Sequence, residues 1–172
     1  MNAAGYRAVE QLRNGKTMTI RAIRPDDKER VQRAFKALER DSIYTRFFTQ
    51  KTTLTADDLR QLTEVDQVRD VALVATLGTE EVLIGGARYM SSGVSAEIAF
   101  TVEEDYQRQG IAGCLLRHLA HIARANGIAR FEAYVLAQNA SMLGVFRRSG
   151  LRTTQKRDDG QWLMTLELGS GR

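Results

Sequence analysis

Covalent reinforcement is nearly absent from this chain of 172 residues: it has one cysteine, Cys114, and one proline, Pro25. A lone thiol cannot close an internal disulfide, so stability must come from a packed core, for which a chain of this length suffices. No apolar run is long enough to span a bilayer, and 43% hydrophobic with 27% charged residues fits a soluble globular domain. The first fifteen residues hold Arg7, Glu10 and Arg13 but no apolar block, so they do not read as a secretory signal, and the cytoplasm is the default compartment. The net charge of +4 comes without a dense Lys/Arg run or a recognition motif, which argues against nucleic-acid binding. The strings G-x-G-x-x-G and G-x-x-x-x-G-K-[ST] are both missing, so neither a dinucleotide fingerprint nor a nucleoside triphosphatase loop is present. No Ser/His/Asp or Cys/His nucleophile set is apparent.

Histidine is scarce too. Cys114, His118 and His121 fall at i, i+4 and i+7 of one helical stretch and could line up as metal ligands, but no fourth ligand stands near them in sequence. The reading is flank packing and no metal, with Cys114 a buried, unreactive thiol.

What is present is an interleaving of helical and strand patterns without repeats or linkers. Thr17 to Ile23 alternates as a first strand that Pro25 ends, and Asp26 or Asp27 caps a helix carrying Val31, Ala34, Phe35 and Leu38. Ser42 to Phe48 reads as a second short helix, with Tyr44, Phe47 and Phe48 in the core, and Thr55-Ala56-Asp57-Asp58 reads as a capping box opening a third through Leu59 and Leu62. Val71 to Leu77 and Val82 to Met90 form an antiparallel hairpin, with Gly85-Gly86 marking a bulge or a close backbone approach. Ala96 to Val102 is a strand, and a long helix then runs to Asn126, burying Ile111, Leu115, Leu119 and Ile122 and stopping at Gly127. A strand from Phe131 to Leu136, a helix from Asn139 to Gly150 and a hairpin turning at Asp158-Asp159-Gly160, with Trp162 in its core, complete the chain. The expected architecture is one α/β domain over residues 16–168, a single mixed sheet packed by helices, with 1–15 and 169–172 as frayed ends.

The informative junction runs from Ser95 to Gly127. A strand passes through Gln107-Arg108-Gln109-Gly110-Ile111-Ala112 into the helix, and such a turn aims free backbone N–H groups at whatever stands in front of it. An anionic ligand is the natural occupant. The amides of Gln107, Arg108, Gln109, Gly110, Ile111, Ala112 and Gly113 would cradle a diphosphate, and the arginines Arg108, Arg147, Arg148, Arg152 and Arg157 in this half suit a polyanion.

Gln107-x-x-Gly110-x-Ala112 after a strand resembles the [QR]-x-x-G-x-[GA] signature of the GNAT acyltransferases, which bind acetyl-CoA. Asn139 to Leu151 resembles the family's following helix, with the Asn at 139 and the Gly at 150, but Phe146 stands where the family has a tyrosine. Ser42-x-Tyr44-x-Arg46-Phe47-Phe48, Leu59-x-x-Leu62-x-x-Val65-Asp66, Val71 to Ala75, Gly85-x-Ala87-Arg88-Tyr89 and Ala96 to Phe100 are similar to the acetyltransferase domain of bacterial Pat-type protein lysine acetyltransferases, over about residues 16–155.

The resemblance implies a mostly antiparallel GNAT sheet whose central parallel strand pair splays to hold acetyl-CoA. Backbone groups of Phe100, Thr101 and Val102 would hold the pantetheine and Asn139 would steady the arm. Phe146 would pack against that arm rather than protonate the departing thiolate; a thiol of pKa near ~8.5 leaves tolerably as the anion, and Tyr89, Tyr134 or a water are alternatives. Glu97, beside Ala99 and Thr101 on one strand face, is suited to be the general base for an amine of pKa near ~10.4, although a plain ion pair with Arg88 is the bland alternative. The implied acceptor is a protein lysine such as that of an acyl-CoA synthetase. The cyclic-nucleotide-binding and synthetase-like domains of many relatives are not expected within this length, and with them control by such a domain. Two rivals stay open: a small-molecule or polyamine acetyltransferase, with Glu64, Asp66 and Asp70 as groove carboxylates, and a non-catalytic acyl-CoA-binding module. No membrane or nucleic-acid partner is expected, and a homodimer is left open.

Overall fold

Hairpin after hairpin adds to one sheet in the computed structural model, which describes residues 1–37, 54–102, 106 and 109–169. Its strands are β1 (Arg7–Gln11), β2 (Thr17–Ala22), β3 (Asp70–Leu77), β4 (Val82–Ser92), β5 (Ser95–Val102), β6 (Arg130–Leu136), β7 (Arg152–Asp158) and β8 (Gln161–Glu167). The helices are α1 (Lys28–Ala37), α2 (Ala56–Thr63), α3 (Ile111–Ala125) and α4 (Ala140–Arg147). The sheet order is β1-β2-β3-β4-β5-β6-β8-β7, antiparallel throughout except for the parallel pair β5 and β6. A parallel neighbour needs a crossover, and α3 supplies it.

The local signals act as their chemistry suggests. Thr55 caps α2 through Asp58 N while the Asp58 carboxylate accepts from Thr55 N, which closes the capping box. Asn139 Oδ1 caps α4 by accepting from Met142 N. Asp159 and Gly160, both with positive φ, turn β7 into β8. The short helix expected over Ser42 to Phe48 lies outside the described residues.

One expectation needs correction at the N-terminus. Residues 7–11 are not a frayed end but the edge strand β1, paired with β2 from Arg7↔Arg21 to Gln11↔Thr17. Their side chains alternate between exposed and half-buried, so five residues without a strong apolar face gave no strand pattern. Pairing to β2 and the burial of Ala3 and Leu12 hold the segment instead.

The two faces of the sheet differ in chemistry. One face carries Ile20, Leu73, Ala87, Tyr89, Ile98, Phe100, Phe131, Met164 and Leu166 in a continuous core under α3 and α4. Ile111, Leu115, Leu119 and Ile122 of α3 are at most 1% exposed there, each worth about 1.5–3 kcal/mol of burial. The other face, under α1 and α2, has a small apolar cluster of Ile23, Ala72, Val74 and Leu83. Beside it a polar staple holds the start of α1 to β2.

That staple is Asp27, fully buried, whose two oxygens accept from Arg21 Nη1 and Nη2 at 2.8 Å each. Asp27 also accepts from Arg24 N at 2.7 Å and from Arg30 Nη1 at 3.1 Å, while Arg21 donates to Glu81 at 3.0 Å. Burial alone would raise the Asp27 carboxyl, but the Arg21 and Arg24 hydrogen bonds and the guanidinium charges outweigh it and hold it below the usual range.

A depressed folded-state pKa stabilises the fold above the unfolded value near about 3.9, and that contribution is lost as pH falls through the folded-state value. Asp27→Ala leaves the buried Arg21 with Glu81 as its remaining carboxylate among the described residues, and the expected cost is about 3 kcal/mol, a melting temperature lower by roughly 6–12 °C with a weaker acid limb. A scanning-calorimetry melt within about 2 °C of the parent would show that this pair holds nothing in place.

Candidate active site

The ladder between β5 and β6 is short. It pairs Ser95↔Arg130, Ala96↔Phe131 and Glu97↔Glu132 and goes no further, although β5 continues to Val102 and β6 to Leu136. Each strand stays bonded to its outer neighbour all the way, β5 to β4 through Val102↔Gly85 and β6 to β8 through Leu136↔Gln161. Two strands held by opposite neighbours and released from each other diverge, and a cleft opens beyond Glu97 and Glu132.

Near the far end of β5 stands the N-terminus of α3. Gly110, with φ of 85°, takes the left-handed conformation that turns the chain into the helix, and no side chain caps it. The first intrahelical bond runs from Cys114 N to Gly110 O, so the amides of Ile111, Ala112 and Gly113 point out of the first turn. A side chain at Gly113 would meet open space. Gly85 in β4 does what its sequence suggested: it lies beside a register shift between Ala75 and Thr76, and a Cβ there would sit 3.0 Å from Ile111 Cγ2 and 3.2 Å from Thr101 O. The missing side chain lets α3 press against the sheet at the cradle.

Gln107 and Arg108 lie outside the described residues. Gln109 is anchored from a direction the sequence did not suggest. Its carbonyl accepts from Arg13 N at 3.3 Å and its side chain Oε1 from Asn14 N at 3.2 Å, so the β1–β2 turn backs the cradle. Arg13 Nε stands 3.6 Å from where a Gly110 Cβ would be. Reading residues 1–15 as frayed hid this arginine; the signal for it was Gly15, whose φ of 86° makes the hairpin turn.

The strand registers sort the remaining side chains. Directly paired residues share a face, so Glu97, Met90, Glu132 and Asp70 stand together, as do Ala99, Arg88 and Ala72 one step further along. Glu97 is half-buried at the point where the ladder ends. Arg88 is its diagonal neighbour; burial pulls that guanidinium below its ordinary range and Asp70 opposes the shift. Tyr134 lies two residues beyond Glu132 on the same face, in the diverging part of β6. Tyr89 is on the opposite face, fully buried, with its hydroxyl accepting from Asn126 Nδ2 at 3.0 Å. Phe146 is 1% exposed and packs edge-to-face on Phe100, ring centroids 5.9 Å apart. Thr101 shares the Glu97 face, whereas Phe100 and the half-buried Val102 share the α3 face. Asn139 is exposed at the start of α4.

Of the carboxylates that a polyamine site would use, Glu64 and Asp66 are engaged within the fold. Glu64 pairs with Lys28 Nζ at 2.9 Å, and Asp66 Oδ1 accepts from the amides of Val68, Arg69 and Asp70 at 2.9–3.0 Å, which holds its carboxyl low.

A parallel pair that opens beside an uncapped helix N-terminus is the arrangement on which known proteins can be compared. Residues 33–151 match the model of the acetyltransferase (GNAT) family. The chain belongs to the GNAT acetyltransferases. It is 34% identical over 143 residues to acetyltransferase Pat of Mycolicibacterium smegmatis, an alignment covering 81% of this chain and 43% of that one. The chain thus spans less than half the length of that relative. The crystal structure of the GNAT domain of S. lividans PAT matches with a TM-score of 0.85 at 36% identity, over 94% of this chain and 96% of that domain. At 21% identity the likeness to yncA of Salmonella typhimurium, solved with its cofactor acetyl-CoA, is one of fold, with a TM-score of 0.71 over 90% of this chain and 95% of that one. Among the described residues no helix is long and apolar enough to cross a membrane.

Proposed function

We propose that this GNAT acetyltransferase moves the acetyl group of acetyl-CoA to a primary amine, the side chain of a protein lysine such as that of an acyl-CoA synthetase. The observation that carries the reading is the end of the β5–β6 ladder at Glu97 and Glu132, with the α3 amides beside the opening. The Pat likeness supports a protein lysine, and the engagement of Glu64 and Asp66 in the fold weakens the polyamine alternative.

In this reading the pantetheine lies along Phe100, Thr101 and Val102. The amides of Gln107, Arg108, Gln109, Gly110, Ile111, Ala112 and Gly113 receive the pyrophosphate, and Asn139 and Phe146 flank the arm. Arg13 adds a cation to the cradle. Glu97 takes the first proton from the acceptor ammonium, the freed amine attacks the thioester carbonyl, and the C–S bond breaks as the attacking nitrogen sheds its second proton to water and the amide forms. The departing thiolate takes its proton from Tyr134, the phenol on the Glu97 face, which solvent then restores. Much of the acceleration comes from holding amine and thioester together.

Labelled acetyl-CoA supplied with purified acyl-CoA synthetase, or with a panel of free amines, tests the acceptor: label is expected on the synthetase lysine, and transfer only to small amines would refute the protein-lysine assignment. Glu97→Gln is expected to lower kcat by about 10²–10⁴ with KM for acetyl-CoA unchanged. A kcat within about twofold of the parent would remove Glu97 from the mechanism and favour a base elsewhere or a binding module. Because a thiolate leaves tolerably unaided, Tyr134→Phe is expected to cost only about tenfold in kcat, and its loss should shrink when a more acidic thiol is the leaving group. If the loss is the same for both thiols, Tyr134 is not the donor. Arg13→Ala is expected to raise KM for acetyl-CoA about tenfold at unchanged kcat, less so at high salt; an unaltered KM at low salt would exclude the contact.

A further inference from the structure

The strand β1 brings to α3 a group of side chains that acetyl transfer does not use. Cys114 and His118, one helical turn apart on α3, meet Glu10 of β1, and one ligand atom of each, a carboxylate oxygen, the thiol sulfur and a ring nitrogen, lie within 4.8 Å of one another. His118 Nε2 is 2.7 Å from Glu10 Oε1, and His118 Nδ1 is 2.6 Å from the Tyr6 hydroxyl. Cys114 is buried, whereas the side chains of His118 and Glu10 are 14% and 28% exposed, so one side of the group opens to solvent. His121 is exposed beyond Tyr6, with ring centroids 6.5 Å apart, and takes no part.

The sequence argument against a metal was that Cys114, His118 and His121 had no fourth ligand nearby; the fold leaves His121 out and brings Glu10 to the other two from more than a hundred residues away. We propose that Glu10, Cys114 and His118 form a three-ligand site for a divalent transition ion of the zinc class, with a fourth position open to water.

The donor chemistry fits that ion. Thiolate, imidazole and carboxylate are the three ligand types zinc accepts, and two of them sit at i and i+4 of one helix. Tyr6 on Nδ1 is the outer partner that a metal-bound imidazole requires, because an Nδ1–H donated to the Tyr6 oxygen leaves the Nε2 lone pair for the ion. Ligands at about 2.0–2.3 Å from a tetrahedral centre stand roughly 3.3–3.8 Å apart, so the Glu10–His118 pair must open by several tenths of an ångström. Glu10, partly exposed on an edge strand, can make that shift.

The protons balance. Before an ion binds, the Cys114 S–H stands beside the Glu10 carboxylate. Ion binding expels that thiol proton to solvent and takes the imidazole as its neutral Nδ1–H form, with Nε2 facing the ion. A divalent ion with one thiolate and one carboxylate is then neutral. No oxidation or reduction is involved, and affinity must rise with pH because a proton is released.

Cobalt(II) is the probe. Titrated into the full chain without acetyl-CoA, it is expected to bind one equivalent, with a thiolate-to-cobalt charge-transfer band in the near ultraviolet and intense tetrahedral bands in the visible, both abolished by stoichiometric zinc. Cys114→Ser is expected to lose the charge-transfer band, and His118→Ala and Glu10→Gln to weaken zinc at least tenfold in competition with a chromophoric chelator. Glu10→Gln keeps the size of an edge-strand side chain, so it tests the site even where a helix variant fails to fold. Zinc at a hundredfold excess over Kd is expected to raise the melting temperature by about 5–10 °C, reversibly with chelator. Absence of the charge-transfer band, or zinc affinity unchanged in Glu10→Gln and His118→Ala, overturns the proposal. These readouts need no acyl transfer, so they stand or fall apart from the catalytic reading.

Discussion

A ladder that stops after three residue pairs organises this molecule. Had β5 and β6 stayed bonded along their length, the sheet would be continuous and nothing could pass between its faces. Because β4 and β8 hold the outer edges as far as Val102 and Leu136, the strand pairing itself keeps β5 and β6 apart beyond Glu97 and Glu132. Preorganisation of this kind avoids the cost of prying strands apart when a ligand enters. Gly85 serves the same end, since the space it leaves lets Ile111 seat the first turn of α3 against β4.

The two faces divide the work. The α3 face is apolar and closely packed, and it fixes where the helix amides point. The opposite face carries the titratable side chains Asp70, Arg88, Glu97, Glu132 and Tyr134 along a single run of registers. Charge stands on the side that the large core does not occupy, although burial still pulls the Arg88 guanidinium below its ordinary range there. Where charge is fully buried, at Asp27 and Arg21, each oxygen and guanidinium nitrogen has a partner within 3.1 Å, as such burial demands.

Strong local chemistry made most elements readable from the sequence. Thr55 with Asp58, Asn139, Gly127 and the Asp159-Gly160 turn each act through bonds spanning a few residues, and the apolar spacing of α3 points to one face. What escaped notice depends on contacts between distant segments. β1 lacks an apolar stripe and exists because β2 offers it a partner, so Arg13 at the cradle and Glu10 at Cys114 and His118 were invisible while residues 1–15 had no place. Choosing between Tyr89 and Tyr134 was likewise beyond the sequence. Alternation puts neighbouring residues of one strand on opposite faces, but only inter-strand register relates the faces of β4 and β6.

The phenylalanine at 146 changes how the proposed chemistry must be laid out. Its ring is committed to an edge-to-face contact with Phe100, which ties α4 to β5 on the cofactor side and offers no proton. Tyr89, in β4 on the same face, is buried with its oxygen bonded to Asn126, at the C-terminal end of α3 away from the cradle. In the proposed chemistry the proton for the thiolate comes from solvent or from the Glu97 face, where Tyr134 stands on the part of β6 beyond the β5 ladder. The proposed base Glu97 and the proposed donor Tyr134 share one face of the sheet, opposite the α3 core. In that reading the α3 side is left with a single task, which is to hold the coenzyme still.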